Sequence, residues 1–371
     1  LRDIQFVINE VLDTENLYQG LSGYEEATPD LMNASIEEGA KFAENVLSPL
    51  NQSGDEEGCV WSEEGVKTPA GFPEAYKQYV DNGWPSLSAE PEFGGQDMPS
   101  MLGIVINELA GTANWSWLMY PGLSHGCIKT LEAHGSPEQK QQYLPGIASG
   151  KLRLQSMAVT EPTTGTDTTK LKTTAVKKGD RYVINGQKVW ISRLQHSDLM
   201  ILLARTTPLA DVKRKSHGMS IFIVDLKDAI GNGMEIQPID NLVGHETNEV
   251  FFDNLVIPAE NLIGEEGRGF HHILDGLNAE RTLIAAECIG DGYWFVEKSR
   301  DYACERVVFD RHIGKNQGVQ FPISKPYVAI EAANLMRVEA CKRFDAGQDC
   351  GSQAKMAKVL AADASWESAQ A

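Results

Sequence analysis

The chain has 371 residues, 42% of them hydrophobic and 23% charged, with 33 basic against 52 acidic side chains and a net charge of −19. That length suits two or three domains, and that charge argues against a nucleic-acid role, because phosphate backbones need clustered Lys and Arg. The apolar runs at 200–204 and 255–259 fall far short of the ~20 residues that span a bilayer.

Residues 1 to about 155 read as helical. The run "MNASIEEGAKFAENVLSPLN" carries an apolar stripe through Ile36, Ala40, Phe42, Ala43 and Val46. Ser35 or Asn33 is its expected cap, with Glu37 and Glu38 favouring the dipole of the first turn. "SPEQKQQYLPGIASG" predicts a helix capped by Ser136, opened by Pro137 and stopped by Pro145 and Gly146. The opening "LRDIQFVINE" has neither an initiator Met nor a signal-peptide pattern.

From 156 to 264 the texture is β-rich. Turns are expected at Gly179-Asp180 and, as a hairpin, at Asn185-Gly186. Further strands are expected in "HSDLMILLART", "GMSIFIVDL" and "NEVFFDNLVIP". From 265 helices return, and the last, "SQAKMAKVLAADASWESAQA", carries no stop signal, so more chain is expected beyond Ala371. The predicted fold class is α+β: a helical domain (1–155), a β-barrel or sandwich domain (156–264) and a helical bundle (265–371). No GxGxxG follows a strand, which argues against Rossmann-type dinucleotide binding. Cys59, Cys127, Cys288, Cys304, Cys341 and Cys350 are scattered, without metal-ligand spacing, and are expected to be reduced thiols.

Four stretches stand out in order. They are "SMAVTEPTTGTD" (156–167), "GQKVWIS" (186–192), "VFFDNLVIPAENLIGEEGRGF" (250–270) and "ERVVFDRHIGKNQGVQ" (305–320). Hydroxyls and backbone N–H groups at a strand end suit the polar edge of a ring or a pyrophosphate, although a Thr-rich turn also satisfies its own backbone. Trp190 reads either as a core indole or as a flat lid on an aromatic ligand. Taken in order, these motifs resemble the acyl-CoA dehydrogenase family, in which the signature usually runs VTEPxxGSD and ERxxFGxxIxxxQ. The resemblance covers nearly the whole chain.

The resemblance implies an FAD-dependent oxidoreductase of fatty acid β-oxidation that forms the trans-2-enoyl-CoA from an acyl-CoA. Its electrons are expected to pass to an electron-transferring flavoprotein. Met157, Val159, Thr160 and Thr166 would line the flavin, with Thr160 at the reactive edge and Thr166 at the pyrophosphate or thioester. Trp190 and Ser192 would cover the ring. Arg306, Phe309 and Gln317 would reach the FAD of a neighbouring subunit, which implies a homodimer or homotetramer. Thr166, Asn278 and Arg281 would contact the substrate. Glu280, just before the helix arginine, is the candidate base, the other choice being a glutamate beyond Ala371. No metal is expected, and the protein is expected in a bacterial cytoplasm or a mitochondrial matrix.

Departures from the family pattern are Thr163 for Gly, Thr166 for Ser, Asp310 for Gly, and Met157 where many relatives carry an aromatic. The first 145 residues resemble the methylthiopropionyl-CoA dehydrogenase branch and the remainder general acyl-CoA dehydrogenases. This mosaic leaves acyl chain length, branching and sulfur content open. Trp115, Trp117 and Tyr120 read either as acyl-tunnel lining or as core. An acyl-CoA oxidase and a non-catalytic acyl-CoA-binding member are the competing readings, separated by peroxide release and by flavin reduction.

Overall fold

The computed structural model describes all residues of the chain except Leu12, Ser22, Glu25 and Glu64, together with the side chains of Asp3, Val11 and Glu15. Helices α1 (Arg2–Phe6), α2 (Thr14–Gln19), α3 (Pro29–Phe42) and α4 (Pro49–Glu57) precede a short hairpin of β1 (Val60–Ser62) and β2 (Gly65–Lys67), which the sequence reading missed. Helices α5 (Phe72–Asp81), α6 (Ser100–Ala113), α7 (Trp115–Gly122), α8 (Ser124–His134) and α9 (Pro137–Ala148) follow. Strands β3 (Leu154–Ala158), β4 (Thr174–Lys178), β5 (Arg181–Ser192), β6 (Leu199–Arg205) and β7 (Met219–Asp225) lead to the one-turn helix α10 (Leu226–Ala229). Next come β8 (Met234–Ile239), β9 (Thr247–Pro258), β10 (Leu262–Ile263) and the long helix α11 (Gly269–Glu305). The hairpin β11 (Val307–Val308) and β12 (Arg311–His312) separates α11 from α12 (Gln317–Asp345) and α13 (Gly351–Gln370).

These elements group into two compact units, one of Leu1–Pro49, Asp97–Leu118 and Asn278–Ala371, the other of Leu50–Gln96 and Met119–Leu277. In the first, α3 starts earlier than its sequence suggested. Thr28 caps it through a bond from the Leu31 N–H, and Asp30 is the acid of the first turn. Ser35 instead donates back to the Leu31 carbonyl. A hydroxyl placed before a Pro-Asp pair outcompetes one inside the apolar stripe. Gly39 admits Ile106 of α6, since a Cβ there would stand 2.4 Å from the Ile106 Cδ1. Pro99 offers α6 no side-chain cap, and Asp345 supplies one from the end of α12: its Oδ1 accepts from Ser100 N at 3.0 Å and its Oδ2 from the Tyr18 hydroxyl at 2.8 Å. Trp117 is 1% exposed and meets Phe42 edge-on at 5.7 Å, so it is a core residue. Helices α11, α12 and α13 pack closely through Ala285, Ala333, Ala357, Ala361 and Ala364.

The second unit is built on one sheet, ordered β10-β7-β6-β4-β5-β9-β8, with β3 pairing parallel to β6. Val224, Phe222, Met200 and Leu202 face a core shared with Tyr182, Ile184, Val250 and Phe252. Ile201, Leu203, Ile221 and Ile223 face the other way, against Leu131 of α8, Leu144 and Ile147 of α9 and Ile273 at the start of α11. Burial on both faces explains why β6 and β7 read as continuous apolar runs rather than alternating ones. Tyr120 is buried here beside Phe72, again as core.

Two local expectations are corrected in this unit. The Gly179-Asp180 hairpin forms, with Gly179 at φ 63°. Asn185-Gly186, however, stays inside the twelve-residue strand β5. The extra residue lies across from it, where Asp253 and Asn254 bulge from β9 and Asn254 takes φ 54°. The Asn185 carbonyl oxygen of the side chain accepts from Asn254 N at 2.9 Å, so this asparagine pins a bulge instead of making a turn. Helix α9 begins as expected, with reciprocal Ser136–Gln139 bonds of 3.2 and 3.0 Å, but runs through Pro145 to Ala148.

Candidate functional site

After β3 the chain turns tightly, because the backbones of Glu161 and Thr164 exchange hydrogen bonds of 3.1 and 3.0 Å. That turn sends the Glu161 side chain inward and leaves Pro162, Thr163, Gly165 and Thr166 exposed. The Glu161 carboxylate accepts from Lys172 N at 2.6 Å, Thr173 N at 2.9 Å and the buried Lys188 ammonium at 3.0 Å. Lys188 also donates to the Val159 carbonyl at 2.9 Å. Burial would raise the Glu161 carboxyl, but Lys188 and these N–H groups outweigh it and hold the group below the usual carboxylate range. Burial lowers the Lys188 ammonium to about 8, with Glu161 opposing.

The next strand is bent to meet this turn. Lys188 pairs with Val250 and Ile191 with Asn248, so Val189 and Trp190 together face one residue of β9. Within this bulge the Val189 N–H turns to the Thr160 carbonyl at 3.0 Å, and Trp190 takes φ 63°. The bulge breaks the in-and-out alternation of β5: Lys188 and Val189 are both buried, and Trp190 stands 62% exposed. Of the two readings of Trp190, core indole and surface lid, the structure removes the first. Met157, Val159 and Thr160 are partly exposed along the same edge.

A second buried polar group fixes the strand end. Ser156 Oγ donates to the Ser192 carbonyl at 2.8 Å, and Ser192 Oγ lies 3.4 Å from Thr247 Oγ1. Arg193 follows at φ 58°, its guanidinium donating to the carbonyls of Met119 and Gln155. Glu246 accepts from Gln195 N at 2.9 Å, from the Asn248 amide and from His196 Nδ1 at 3.3 Å. Burial, reinforced by Arg193, lowers His245 to about 4. Sequence reasoning stopped at Ser192 and missed this cluster. The signal was the dense polar string "SRLQHSD" between two apolar strands.

The remaining candidates lie in the first unit. Asn278, Glu280 and Arg281 sit on α11, where Arg281 Nη1 donates to Asn278 Oδ1 at 2.8 Å. Gly351 at the start of α13 would bring a Cβ within 3.2 Å of Asn278 Nδ2, so that amide is closely overlaid. Arg306 and Gln317 flank the β11–β12 hairpin and are exposed. Its two-residue turn holds Phe309 and Asp310 at φ 50° and 58°, the pairing of a type I′ turn. Phe309 is 97% exposed. An aromatic at a rigid tip with no cover from its own unit is shaped to meet another surface.

Family models for the acyl-CoA dehydrogenase N-terminal, middle and C-terminal domains match residues 34–151, 156–255 and 267–371. The chain belongs to the acyl-CoA dehydrogenase family. It is 39% identical over 237 residues to the acyl-CoA dehydrogenase of Bacillus subtilis, covering 63% of this chain and 61% of that protein. It is 32% identical over 288 residues to the cyclohex-1-ene-1-carbonyl-CoA dehydrogenase of Syntrophus aciditrophicus, covering 77% and 68%. Among solved structures, the acyl-CoA dehydrogenase of Geobacillus kaustophilus superposes with a TM-score of 0.81 at 25% identity, covering 91% and 86% of the two chains. An FAD complex of PigA does so at 0.79 and 26%, covering 91% and 85%. A structure described as that of the electron-transferring flavoprotein of Acidaminococcus fermentans gives 0.78 and 27%, covering 90% and 84%.

This is a family of flavoprotein oxidoreductases whose cofactor is FAD. The second unit fits that group on its own geometry. A planar tricycle with one polar edge needs an exposed flat ring and a row of hydroxyls and N–H groups. Trp190 supplies the first, and Thr160, Thr163 and Thr166 with the intervening backbone supply the second. Among the described residues no His, Cys, Asp and Glu cluster could hold a metal ion, and no helix is long and apolar enough to cross a membrane.

Proposed function

We propose that this chain catalyses FAD-dependent α,β-dehydrogenation of an acyl-CoA thioester, giving the trans-2-enoyl-CoA and passing its electrons to an electron-transferring flavoprotein. The carrying observation is the bulge that aims Trp190 outward while its neighbour Val189 bonds the Thr160 carbonyl. Bound FAD supplies the acceptor for the β hydride. Thr160 and Thr166 orient the polar edge of the flavin and the thioester, and Trp190 with Ser192 covers the ring and excludes water. Glu280 takes the α proton as the β hydrogen leaves, so that a C=C bond forms. Asn278 and Arg281 position the coenzyme A moiety beside it.

The protein works as a homodimer or homotetramer, with Phe309, Arg306 and Gln317 of one copy completing the flavin site of the next. The exposed tip at Phe309 supports this arrangement. The family-model boundaries support a three-domain division into 1–155, 156–264 and 265–371. A soluble location, in bacterial cytoplasm or mitochondrial matrix, accords with the six free cysteines.

The test is anaerobic titration of the purified protein with acyl-CoA thioesters of graded chain length, following the long-wavelength flavin band. Bleaching by one class establishes the reaction and names the substrate. Glu280→Gln should abolish bleaching while leaving flavin bound. If it does not, the base lies elsewhere. Peroxide release in air would favour an oxidase, and a flavin that never bleaches would favour a non-catalytic acyl-CoA-binding role.

A further inference from the structure

Glu280, Ile284 and Glu287 follow one another on α11 at steps of four and three residues, so they share one face of the helix. Exposure falls along that face: Glu280 and Ile284 are half-buried, whereas Glu287 is 3% exposed. Before Glu280 the same face is closed, since a Cβ at Gly276 would fall 2.2 Å from Thr130 Oγ1 and 2.3 Å from the Gly126 carbonyl. A ligand that meets Glu280 therefore extends along the helix toward Glu287, which stands about 10 Å further on at 1.5 Å per residue.

At Glu287 the path is shut, by packing and by charge together. The Trp115 indole N–H, at the start of α7, donates to Glu287 Oε2 at 3.0 Å. The end of α6 presses on the same place. A Cβ at Gly111 would stand 3.3 Å from Glu287 Cγ, and one at Gly290 would stand 2.0 Å from Thr112 Oγ1 and 3.2 Å from the Glu108 carbonyl. Thr112 is itself tied back to that carbonyl at 2.8 Å. Glu108, the acid on the α6 side, is paired with Arg337 of α12, so Glu287 is the charge that the end of the path presents. Its effect is felt one residue on: burial first, then Asp291 and Glu287, push the Cys288 thiol up to about 11 against Lys358.

We infer that the acyl tail of the substrate follows this face and ends against Glu287 and Trp115. That limits the substrate class to short- and medium-chain thioesters of up to roughly eight carbons, and disfavours tails that end in a carboxylate. The inference rests on the acyl-CoA reading and on Glu280 as the base. A longer tail must break the Trp115–Glu287 bond and strand a buried carboxylate, or part α6 from α11 where they touch. An anionic tail of the permitted length meets a like charge in a buried place, where repulsion is weakly screened.

The experiment measures kcat/KM of the holoenzyme for straight-chain thioesters from butyryl to palmitoyl, and calorimetric binding of the same series. Both should fall by at least about tenfold between octanoyl- and dodecanoyl-CoA. Octanoyl-CoA should exceed its ω-carboxyl counterpart by at least about tenfold. Glu287→Gln keeps the shape and removes the charge. It should bring the carboxyl ratio toward one while retaining the length limit, a change that a purely structural Glu287 would not produce. Glu287→Ala should raise the dodecanoyl-to-octanoyl ratio about tenfold. No drop with length, or a carboxyl ratio that Glu287→Gln leaves unmoved, overturns the inference. A length limit in binding with a flavin that never bleaches would retain the limit and reject the dehydrogenase reading. Bleaching by every chain length alike would do the reverse.

Discussion

The ammonium of Lys188 lies 3.0 Å from the Glu161 carboxylate, both side chains sealed from solvent, and the bulge that presents Trp190 begins at the very next residue. Each partner also binds backbone: Lys188 the Val159 carbonyl, Glu161 the N–H groups of Lys172 and Thr173. The pair therefore joins three segments, and removing one member leaves the other's charge buried. Lys188→Ala should destabilise the protein by about 3–5 kcal/mol. Lys188→Met combined with Glu161→Leu should cost clearly less than the two single changes summed. Urea unfolding followed by far-UV circular dichroism reads both results. Additive single effects would show that the pair is not the joint described.

Trp190 should behave in the opposite way. It is 62% exposed, so Trp190→Ala removes little packing, and the unfolding midpoint should move by less than about 0.5 kcal/mol equivalent. Its consequence should appear in cofactor retention. Losing an offset-stacked indole should weaken FAD binding by about tenfold, with Trp190→Phe recovering part of it. Flavin fluorescence during reconstitution of the apoprotein measures the effect. Unchanged affinity in Trp190→Ala would remove the indole from the flavin site.

The gross architecture was legible because it follows from periodicity. The α11 stretch runs 37 residues with no proline and few glycines, and β6 and β7 are mostly apolar because both faces are covered. The positions proposed to face the flavin were reached only through resemblance, since nothing in the alternation of "GQKVWIS" says that Trp190 points out. The bulge that decides it depends on partners distant in sequence, Thr160 and Glu249. Asn185-Gly186 failed for the same reason: a dipeptide with turn chemistry was captured by a long cross-strand pairing. Polar clusters such as Arg193 with Glu246 stayed hidden because their members are more than fifty residues apart.

Asp310 occupies a position where the family usually has Gly, and the structure gives the reason. Both residues of the Phe309-Asp310 turn are left-handed, which costs any side-chain-bearing residue, although Asp tolerates it better than most. Asp310→Gly should stabilise the turn by about 0.5–1 kcal/mol and slow exchange of the Val307–Val308 and Arg311–His312 amides. Phe309→Ser should leave the secondary structure intact, because the ring is 97% exposed, yet weaken self-association. Hydrogen exchange and sedimentation velocity read these separately. Phe309→Ser with an unaltered oligomer would disconnect the hairpin tip from the subunit interface.

Asp291 on α11 gives a pH-dependent prediction. Burial raises its carboxyl to about 6, and no cation or hydrogen bond compensates it among the described residues. Its folded pKa therefore stands above the unfolded value of about 3.9. Between those two values the folded state holds more protons than the unfolded one, so this group makes stability fall as pH rises from about 4 to about 6. Above that window its ionised form carries a constant penalty, of about 1–3 kcal/mol once partial exposure is allowed for. Asp291→Asn keeps the shape and removes the charge. It should stabilise the protein at pH 7, change little at pH 4, and flatten the stability profile between them. Thermal unfolding across pH 4 to 7 measures this directly. A variant whose profile runs parallel to that of the parent would mean that the Asp291 carboxylate already has a compensating partner in solution.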